Sequence, residues 1–181
     1  MNILIVGLGS IAKKHITALR AISNDFKIYA LRSISNNDDE LGIENIFNLN
    51  DVNVVFDFAI ISNPTNLHFE YIHKLAKKGI NLLIEKPAIH SLDNYDQLIK
   101  LINQEKIKTY VACNLRFHPC IIYLRNKIKK EILKINEVNV YCGSYLPDWR
   151  PDKDFRSIYR CGSSPSLGSS RISSSGSVSI A

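Results

Sequence analysis

The sequence predicts an α/β protein with a Rossmann-type fold, in which a doubly wound parallel sheet carries helices on both faces. Short apolar segments of strand length alternate with segments of helical periodicity through most of the chain, which is typical of βαβ units. A glycine-rich turn, Gly7–Ala12, directly follows the first of these apolar segments. Polar residues also follow several later strands, at the carboxyl ends where ligands bind in such sheets.

The first strand is predicted at Asn2–Val6, which is a nearly unbroken apolar run. A helix is predicted after the glycine turn, because apolar residues recur there at helical spacing. These residues are Ala12, Ile16 and Leu19. A strand, a glycine turn and a helix in this order open a dinucleotide-binding βαβ unit.

Each small residue of the turn has a physical role in such a unit. Gly7 allows the chain to turn tightly, and Gly9 lets a pyrophosphate approach the backbone. Ala12 takes the third glycine position, where helix and strand pack closely. The helix N-terminus offers free N–H groups and a partial positive charge to phosphates. The motif favours dinucleotide binding, and an ordinary glycine-rich turn in another α/β protein is the alternative.

The second strand is predicted at Phe26–Leu31, and it is followed by Arg32 and Ser33 rather than by an acidic residue. In Rossmann folds an acid at this point binds the ribose of NAD, whereas a basic residue accommodates the 2′-phosphate of NADP. We therefore expect NAD(P) as the cofactor, with NADP(H) slightly favoured. The alternative is that Arg32 stacks on the adenine or points to water. A polar loop is predicted at Ser35–Glu40.

The rest of the chain continues the alternation of strands and helices. Further strands are predicted at Ile43–Phe47, Val52–Ile61, Ile80–Ile84, Thr109–Ala112 and Glu137–Tyr145. Helices are predicted after Thr65, which is placed to cap the first of them, from Ser91, and over Ile121–Leu133.

The composition limits the classes of function. The 181 residues suffice for one domain and part of a second, and the apolar fraction of 45% suits a folded core. We expect no membrane span, no signal peptide and no metal site, and four cysteines without C-x-x-C spacing favour a reducing cytoplasm. The net charge of +6 favours an anionic ligand, whereas dispersed lysines make nucleic acid the weaker interpretation.

Three segments are predicted along the chain. Residues 1–120 form the NAD(P)-binding Rossmann domain, and residues 121–160 begin a second domain of α+β type. Residues 161–181 are rich in serine and glycine and contain no acidic residue and no apolar periodicity. Such a composition buries too little apolar surface to offset the entropy of ordering, so a disordered tail is predicted.

Several segments resemble a known family of oxidoreductases. They are GLGSIAKKH (Gly7–His15), AIISNPTNLH (Ala59–His68), GINLLIEKP (Gly79–Pro87), NLRFHP (Asn114–Pro119) and YLPDWRPDKDFR (Tyr145–Arg156). In this order they resemble the glucose–fructose oxidoreductase, inositol dehydrogenase and rhizopine-catabolism family (Gfo/Idh/MocA). The resemblance implies an NAD(P)-dependent dehydrogenase that acts on sugars, sugar derivatives or cyclitols, with homo-oligomers expected for a full-length form.

The resemblance also implies roles for individual residues, by position. The implied cofactor-binding residues are Gly7, Gly9, Ser10, Ile11, Arg32, Ser62, Asn63, Pro64, His68, Glu85, Lys86, Asn114 and Arg116. Glu85 would approach the nicotinamide ribose, and Asn114 and Arg116 would lie where substrate and nicotinamide meet. Lys86 matches the active-site lysine of the family.

Lys86 also has a chemical rationale. A carbinol carbon loses hydride only as its hydroxyl loses a proton, and a nearby cation stabilises the developing alkoxide. The alternative is a surface lysine that is paired with Glu85. His68 and His118 are candidates for a direct role in function. For each of them, the alternative is an ordinary hydrogen-bonding role.

Family members continue into a second domain with an Asp-x-x-x-His pair, which this sequence lacks after Arg160. We therefore expect a truncated or frame-shifted product. Three functions remain open at this point: an active dehydrogenase, a dinucleotide-binding module without turnover, and a nucleotide-free interaction protein on the same fold.

Overall fold

Six parallel strands form one sheet in the computed structural model, which describes residues 1–33, 42–131, 134–135, 137, 139–142 and 176–179. The strands are β1 (Asn2–Val6), β2 (Lys27–Leu31), β3 (Glu44–Ile46), β4 (Phe58–Ile61), β5 (Asn81–Ile84) and β6 (Thr109–Val111). Their order across the sheet is β3-β2-β1-β4-β5-β6, which is the Rossmann order. The predicted fold class is therefore confirmed.

Helices cover both faces of this sheet. They are α1 (Ser10–Ile22), α2 (His68–Ala76) and α3 (Tyr95–Gln104). Alternate residues of β1 point to opposite faces, so that Ile3 and Ile5 join the α1 side chains in one apolar cluster. Leu4 and Val6 join α2 and α3 side chains in the other. Both faces are thus buried, which explains why the central strands are continuous apolar runs.

The parallel register brings the ends of the central strands to one edge. Val6 of β1 pairs with Leu31 of β2 and with Ile61 of β4, and Ile61 in turn pairs with Ile84 of β5. The residues that follow these strand ends therefore leave the sheet side by side. This carboxyl edge therefore carries the polar and glycine residues that follow these strands in the sequence. They are Gly7, Arg32, Ser62, Asn63, Glu85 and Lys86.

The strand predicted at Val52–Ile61 is shorter than expected. The structure places β4 at Phe58–Ile61, and the residues before it are not part of the sheet. Val55 is 87% exposed, so its apolar character does not reflect burial in a strand. An apolar run alone does not mark where a buried strand begins.

The helix predicted from Ser91 begins only at Tyr95. The Ser91 hydroxyl donates to the Asp93 carboxylate and accepts the Asp93 N–H, which forms a local turn. Asn94 then takes a left-handed conformation with φ of +59°, which separates this turn from α3.

The helix predicted after Thr65 also has a different start. Thr65 lies inside a single 3₁₀ turn, Thr65–Leu67, whose N-cap is Pro64, and the N-cap of α2 is Leu67, so Thr65 caps neither element. The α-helix α2 begins at His68, and the chain leaves the helix through Gly79, which has a φ of +70°. On its exposed face a hydrogen bond to Glu70 raises the pKa of Lys74.

The chain divides into two compact units, Met1–Ala112 and Cys113–Ala181, and the predicted first domain of residues 1–120 extends past this division. The second unit holds a 3₁₀ turn (Asn114–Phe117), helix α4 (Pro119–Glu131) and strands β7 (Asn139–Cys142) and β8 (Gly176–Ser179). Strands β7 and β8 pair in antiparallel fashion.

Part of the predicted tail is therefore a strand. Residues 176–179 form β8, and pairing with β7 supplies partners for their backbone groups. The other residues of the tail, the polar loop Ser35–Glu40 and the segment Tyr145–Arg156 lie outside the described residues. Within the described ranges, no helix combines the length and the apolar character that a membrane crossing needs.

Candidate functional site

The glycine turn after β1 is held against the residues that follow β4. Gly7 has φ of +82°, and its N–H donates to the Leu31 carbonyl at 2.9 Å. A Cβ atom on Gly7 would lie only 2.8 Å from the Cα of Asn63. A glycine is therefore needed here both for the backbone conformation and for the close approach of a neighbouring chain segment.

Gly9 presents the opposite environment. A Cβ atom at Gly9 would meet nothing within 4 Å, so the space beside this residue is open. Gly9 is also the N-cap of α1 and provides no side-chain cap, and the first turn of the helix contains no acidic residue. Ser10 and Ile11 are exposed there. An open, uncapped helix start of this kind can accept a phosphate on its backbone N–H groups.

Ser62 fastens the end of β4 to the glycine turn. Its N–H donates to the Val6 carbonyl at 3.0 Å. Its buried hydroxyl lies 3.1 Å from that same oxygen and 3.2 Å from the Gly7 carbonyl. Because its N–H and its hydroxyl are both directed at the backbone of the glycine turn, Ser62 stabilises the conformation of that turn.

The amide of Asn63 has a different status. Its side-chain oxygen and nitrogen are both buried, and neither has a hydrogen-bond partner in the described part of the chain. A buried amide without a hydrogen-bond partner is costly to the folded state. Pro64, the next residue, is exposed and precedes the 3₁₀ turn.

His68 connects the segments that follow β4 and β5. It is 1% exposed. Its Nε2 lies 2.9 Å from the Asn63 carbonyl, and its Nδ1 lies 3.0 Å from the Pro87 carbonyl and 3.2 Å from that of Ala88. With both ring nitrogens occupied by backbone oxygens, the geometry favours the hydrogen-bonding alternative for His68 over direct contact with a ligand.

The residues after β5 form a second group at the same edge. The Glu85 N–H donates to the Ile61 carbonyl at 2.9 Å, which continues the sheet register by one residue. Its carboxylate Oε1 lies 2.7 Å from Nε2 of His15 on α1. Glu85 is therefore paired with His15, and among the described residues no ion pair joins it to the Lys86 side chain. The peptide bond between Lys86 and Pro87 is cis.

His15 is a site residue that the sequence reasoning missed. The helical periodicity could have indicated it, because His15 lies close to the inward face of α1 that Ala12, Ile16 and Leu19 form. Lys86 itself is exposed. Among the residues with described positions, none forms an ion pair or a hydrogen bond with its ammonium group.

Arg32 lies at the end of β2, as the sequence predicts. Its N–H donates to the Ile46 carbonyl at 2.9 Å, and its Nη1 donates to the Asn45 side-chain oxygen at 3.3 Å. The guanidinium is therefore partly oriented by β3. Asn114 and Arg116 are exposed in the 3₁₀ turn of the second unit, and their predicted roles stay predictions.

The geometry agrees with what known proteins show. The profile of the Gfo/Idh/MocA family, described as an oxidoreductase family with an NAD-binding Rossmann fold, matches residues 1–113. An uncharacterized yeast protein, YMR315W of Saccharomyces cerevisiae, is 25% identical over 72% of this chain and 40% of its own length. Inositol 2-dehydrogenase of Rhizobium meliloti is 29% identical over 40% of this chain and 22% of its own length.

Solved structures show the same fold. An apo scyllo-inositol dehydrogenase from Lactobacillus casei superposes with a TM-score of 0.69 at 20% identity, over 82% of this chain and 48% of that one. WlbA dehydrogenase from Bordetella pertussis, in complex with NADH and UDP-GlcNAcA, gives a TM-score of 0.61 at 18% identity, over 71% and 42%. The chain thus spans less than half the length of the proteins it matches.

The strand order, the glycine turn at the carboxyl edge and the profile match all describe the same part of the molecule. Through residues 1–113, the chain belongs to the Gfo/Idh/MocA oxidoreductase family with its NAD-binding Rossmann fold.

Proposed function

We propose that the Rossmann unit binds NAD(P) and that the protein is a dehydrogenase for a sugar, a sugar derivative or a cyclitol. One observation carries the cofactor part of the proposal. The space beside Gly9 is open at the uncapped start of α1, whereas Gly7, two residues earlier, is tightly packed against Asn63. This combination fixes the turn while leaving its outer side free for a pyrophosphate.

The residues along the edge divide into two halves for such a cofactor. In this proposal Arg32, which follows β2, binds the adenosine ribose, and Gly9, Ser10 and Ile11 bind the phosphates. The nicotinamide half is expected near the residues that follow β4 and β5. These are Ser62, Asn63, Pro64, His68, Glu85 and Lys86. Among them, His68 acts through its contacts with the backbone.

A preference for NADP(H) is part of the proposal. It is supported by the Arg32 guanidinium at the end of β2, which the Asn45 side chain holds from one side. A guanidinium is suited to bidentate contact with a phosphate. The next residue, Ser33, is exposed and uncharged, so the position directly after Arg32 carries no acidic side chain that could bind the ribose hydroxyls of NAD.

Lys86 is proposed as the catalytic residue. A bound nicotinamide supplies the hydride acceptor or donor, and the protein must stabilise and move the hydroxyl proton of the substrate. The Lys86 ammonium is exposed at the carboxyl edge, and its neighbouring carboxylate is held by His15. It is thus free to orient a substrate hydroxyl and stabilise the developing alkoxide.

The substrate class follows from the relatives rather than from the geometry. The matched proteins include inositol dehydrogenases and a dehydrogenase in complex with UDP-GlcNAcA. We extend that class to this protein, with Asn114 and Arg116 as candidate substrate contacts. A cytoplasmic location, homo-oligomers of a full-length form and the absence of nucleic-acid partners remain predictions from the sequence.

The test is calorimetric titration of the purified chain with NADPH and with NADH, followed by a dehydrogenase assay with scyllo-inositol and UDP-GlcNAcA. Saturable binding, tighter for NADPH, is the expected result, and no binding of either would contradict the proposal. Lys86→Met should retain binding and lose turnover. Binding without any turnover in the unchanged chain would favour the dinucleotide-binding module over the active enzyme.

A further inference from the structure

Helix α1 is joined to the end of β5 by one side-chain contact across the edge of the sheet. Nε2 of His15 lies 2.7 Å from Oε1 of Glu85, although the two residues are 70 positions apart in sequence. Their side chains are only 21% and 15% exposed, so water screens the contact poorly. A hydrogen bond to a carboxylate in this setting is stronger than one on an open surface.

The contact fixes the direction in which the Glu85 carboxylate points. The backbone of Glu85 is already held by the 2.9 Å hydrogen bond to the Ile61 carbonyl. His15 then holds Oε1, and the Lys86 N–H lies 3.4 Å from Oε2. A glutamate side chain otherwise samples several rotamers, and these contacts select one of them.

The same contact affects Lys86. Glu85 is the acid nearest to Lys86 in sequence, and an ion pair between them would tie up the ammonium group. With Oε1 of Glu85 bonded to His15, the Lys86 ammonium has no such partner among the described residues.

We infer that His15 is a positioning residue for the nicotinamide half of the site. It acts through Glu85, which it holds in the orientation for the nicotinamide ribose and away from the Lys86 ammonium. The inference rests on the proposed function and adds to it a residue on α1. Since β5 and β2 lie on opposite sides of β1, the effect should be confined to the half of the cofactor that lies over β4 and β5.

Two substitutions at His15 test this role. The amide of glutamine reaches about as far as the Nε2 of histidine, whereas the amide of asparagine is shorter and corresponds to Nδ1. His15→Asn should weaken NADPH binding by about tenfold, which is the size expected for one lost charge-assisted hydrogen bond. His15→Gln should restore binding to within about twofold of the unchanged chain.

Adenosine 2′,5′-bisphosphate separates the two halves of the site, because it carries the adenosine half alone. Its affinity should be the same in the unchanged chain, His15→Asn and His15→Gln. His73→Asn on α2 is the control for replacing a histidine elsewhere. Thermal melting of each variant shows whether the fold is retained.

The outcomes distinguish the inference from the proposal beneath it. Selective loss of NADPH binding in His15→Asn, with rescue in His15→Gln, supports the inference. Three results would overturn the inference but not the proposed function. They are an equal loss of binding for NADPH and for adenosine 2′,5′-bisphosphate, unchanged NADPH binding in His15→Asn, and failure of His15→Gln to restore NADPH binding. A lack of NADPH binding in the unchanged chain would overturn the proposed function and the inference together.

Discussion

Gly7 and Asn63 are in such close contact that the backbone of one leaves no room for a side chain on the other. A Cβ atom on Gly7 would lie 2.8 Å from the Cα and 2.9 Å from the Cβ of Asn63. The φ of Gly7, +82°, is also one that L residues rarely adopt. The contact joins the ends of β1 and β4 at the turn where the cofactor is proposed to bind.

Gly7→Ala should therefore destabilise the protein strongly. Backbone strain and the clash with Asn63 together are expected to lower the free energy of unfolding by about 2 to 4 kcal/mol. Urea denaturation measures this. Gly79→Ala is the matched control, because Gly79 also has positive φ but open space around it, so that only about 1 kcal/mol should be lost. Equal losses would show that the contact with Asn63 is unimportant.

Gly9→Ser should separate binding from stability. Its Cβ enters open space, and serine is a good N-cap for α1, so the melting temperature should not fall. The added side chain should keep a pyrophosphate from the backbone and weaken NADPH binding by about tenfold or more, as measured by calorimetry. A bulkier Gly9→Val should abolish binding with the fold retained. Unchanged affinity in both variants would rule out the phosphate role of this turn.

Arg32→Asp should shift cofactor preference from NADPH toward NADH. The substitution removes a partner of the 2′-phosphate and adds an acceptor for the ribose hydroxyls, so the ratio of the two dissociation constants should change by about tenfold or more. Arg32→Gln removes the charge without adding an acid and should weaken NADPH binding only. If both variants keep the original ratio, Arg32 does not contact the 2′-phosphate.

His68→Leu should be among the more destabilising single substitutions in the molecule. It removes the imidazole whose ring nitrogens lie within hydrogen-bond distance of the Asn63 and Pro87 carbonyls. We expect a loss of about 2 to 4 kcal/mol in the free energy of unfolding, measured by urea denaturation. His90→Leu is the control, because His90 is exposed and its replacement should change stability by about 0.5 kcal/mol or less. A comparable change in both would mean that His68 does not hold the strand ends together.

The sheet and the glycine turn were readable from the sequence because their causes are local. A strand such as β1, whose last four residues are buried, is apolar at those positions, and the turn at Gly7 requires a residue without a side chain. The position of Arg32 after β2 is predicted for the same reason, since it depends only on where one strand ends.

Element starts were less readable, because local side-chain contacts decide them. Ser91 is a residue type that often begins a helix. Its hydroxyl instead donates to Asp93, and Asn94 adopts a left-handed conformation, so α3 begins later. Leu92 consequently does not join the apolar face and is 78% exposed.

The partner of Glu85 was not readable for another reason. Sequence proximity suggests Lys86, whereas the structure gives His15, which only the crossing of α1 over the sheet brings near. Pairings of this kind depend on topology, and one sequence does not display them. The same is true of His68, whose two contacts join segments that follow different strands.

The central place of β1 has a consequence for synthesis of the chain. β1 is made before β4, and the first pair between these two strands joins Ile3 and Phe58, which are separated by more than fifty residues. At typical elongation rates, the ribosome needs roughly 3 to 11 seconds to add that stretch. During this interval one edge of an apolar strand has no native neighbour, so the nascent chain should depend on early pairing of β1 with β2, or on a chaperone, to avoid aggregation.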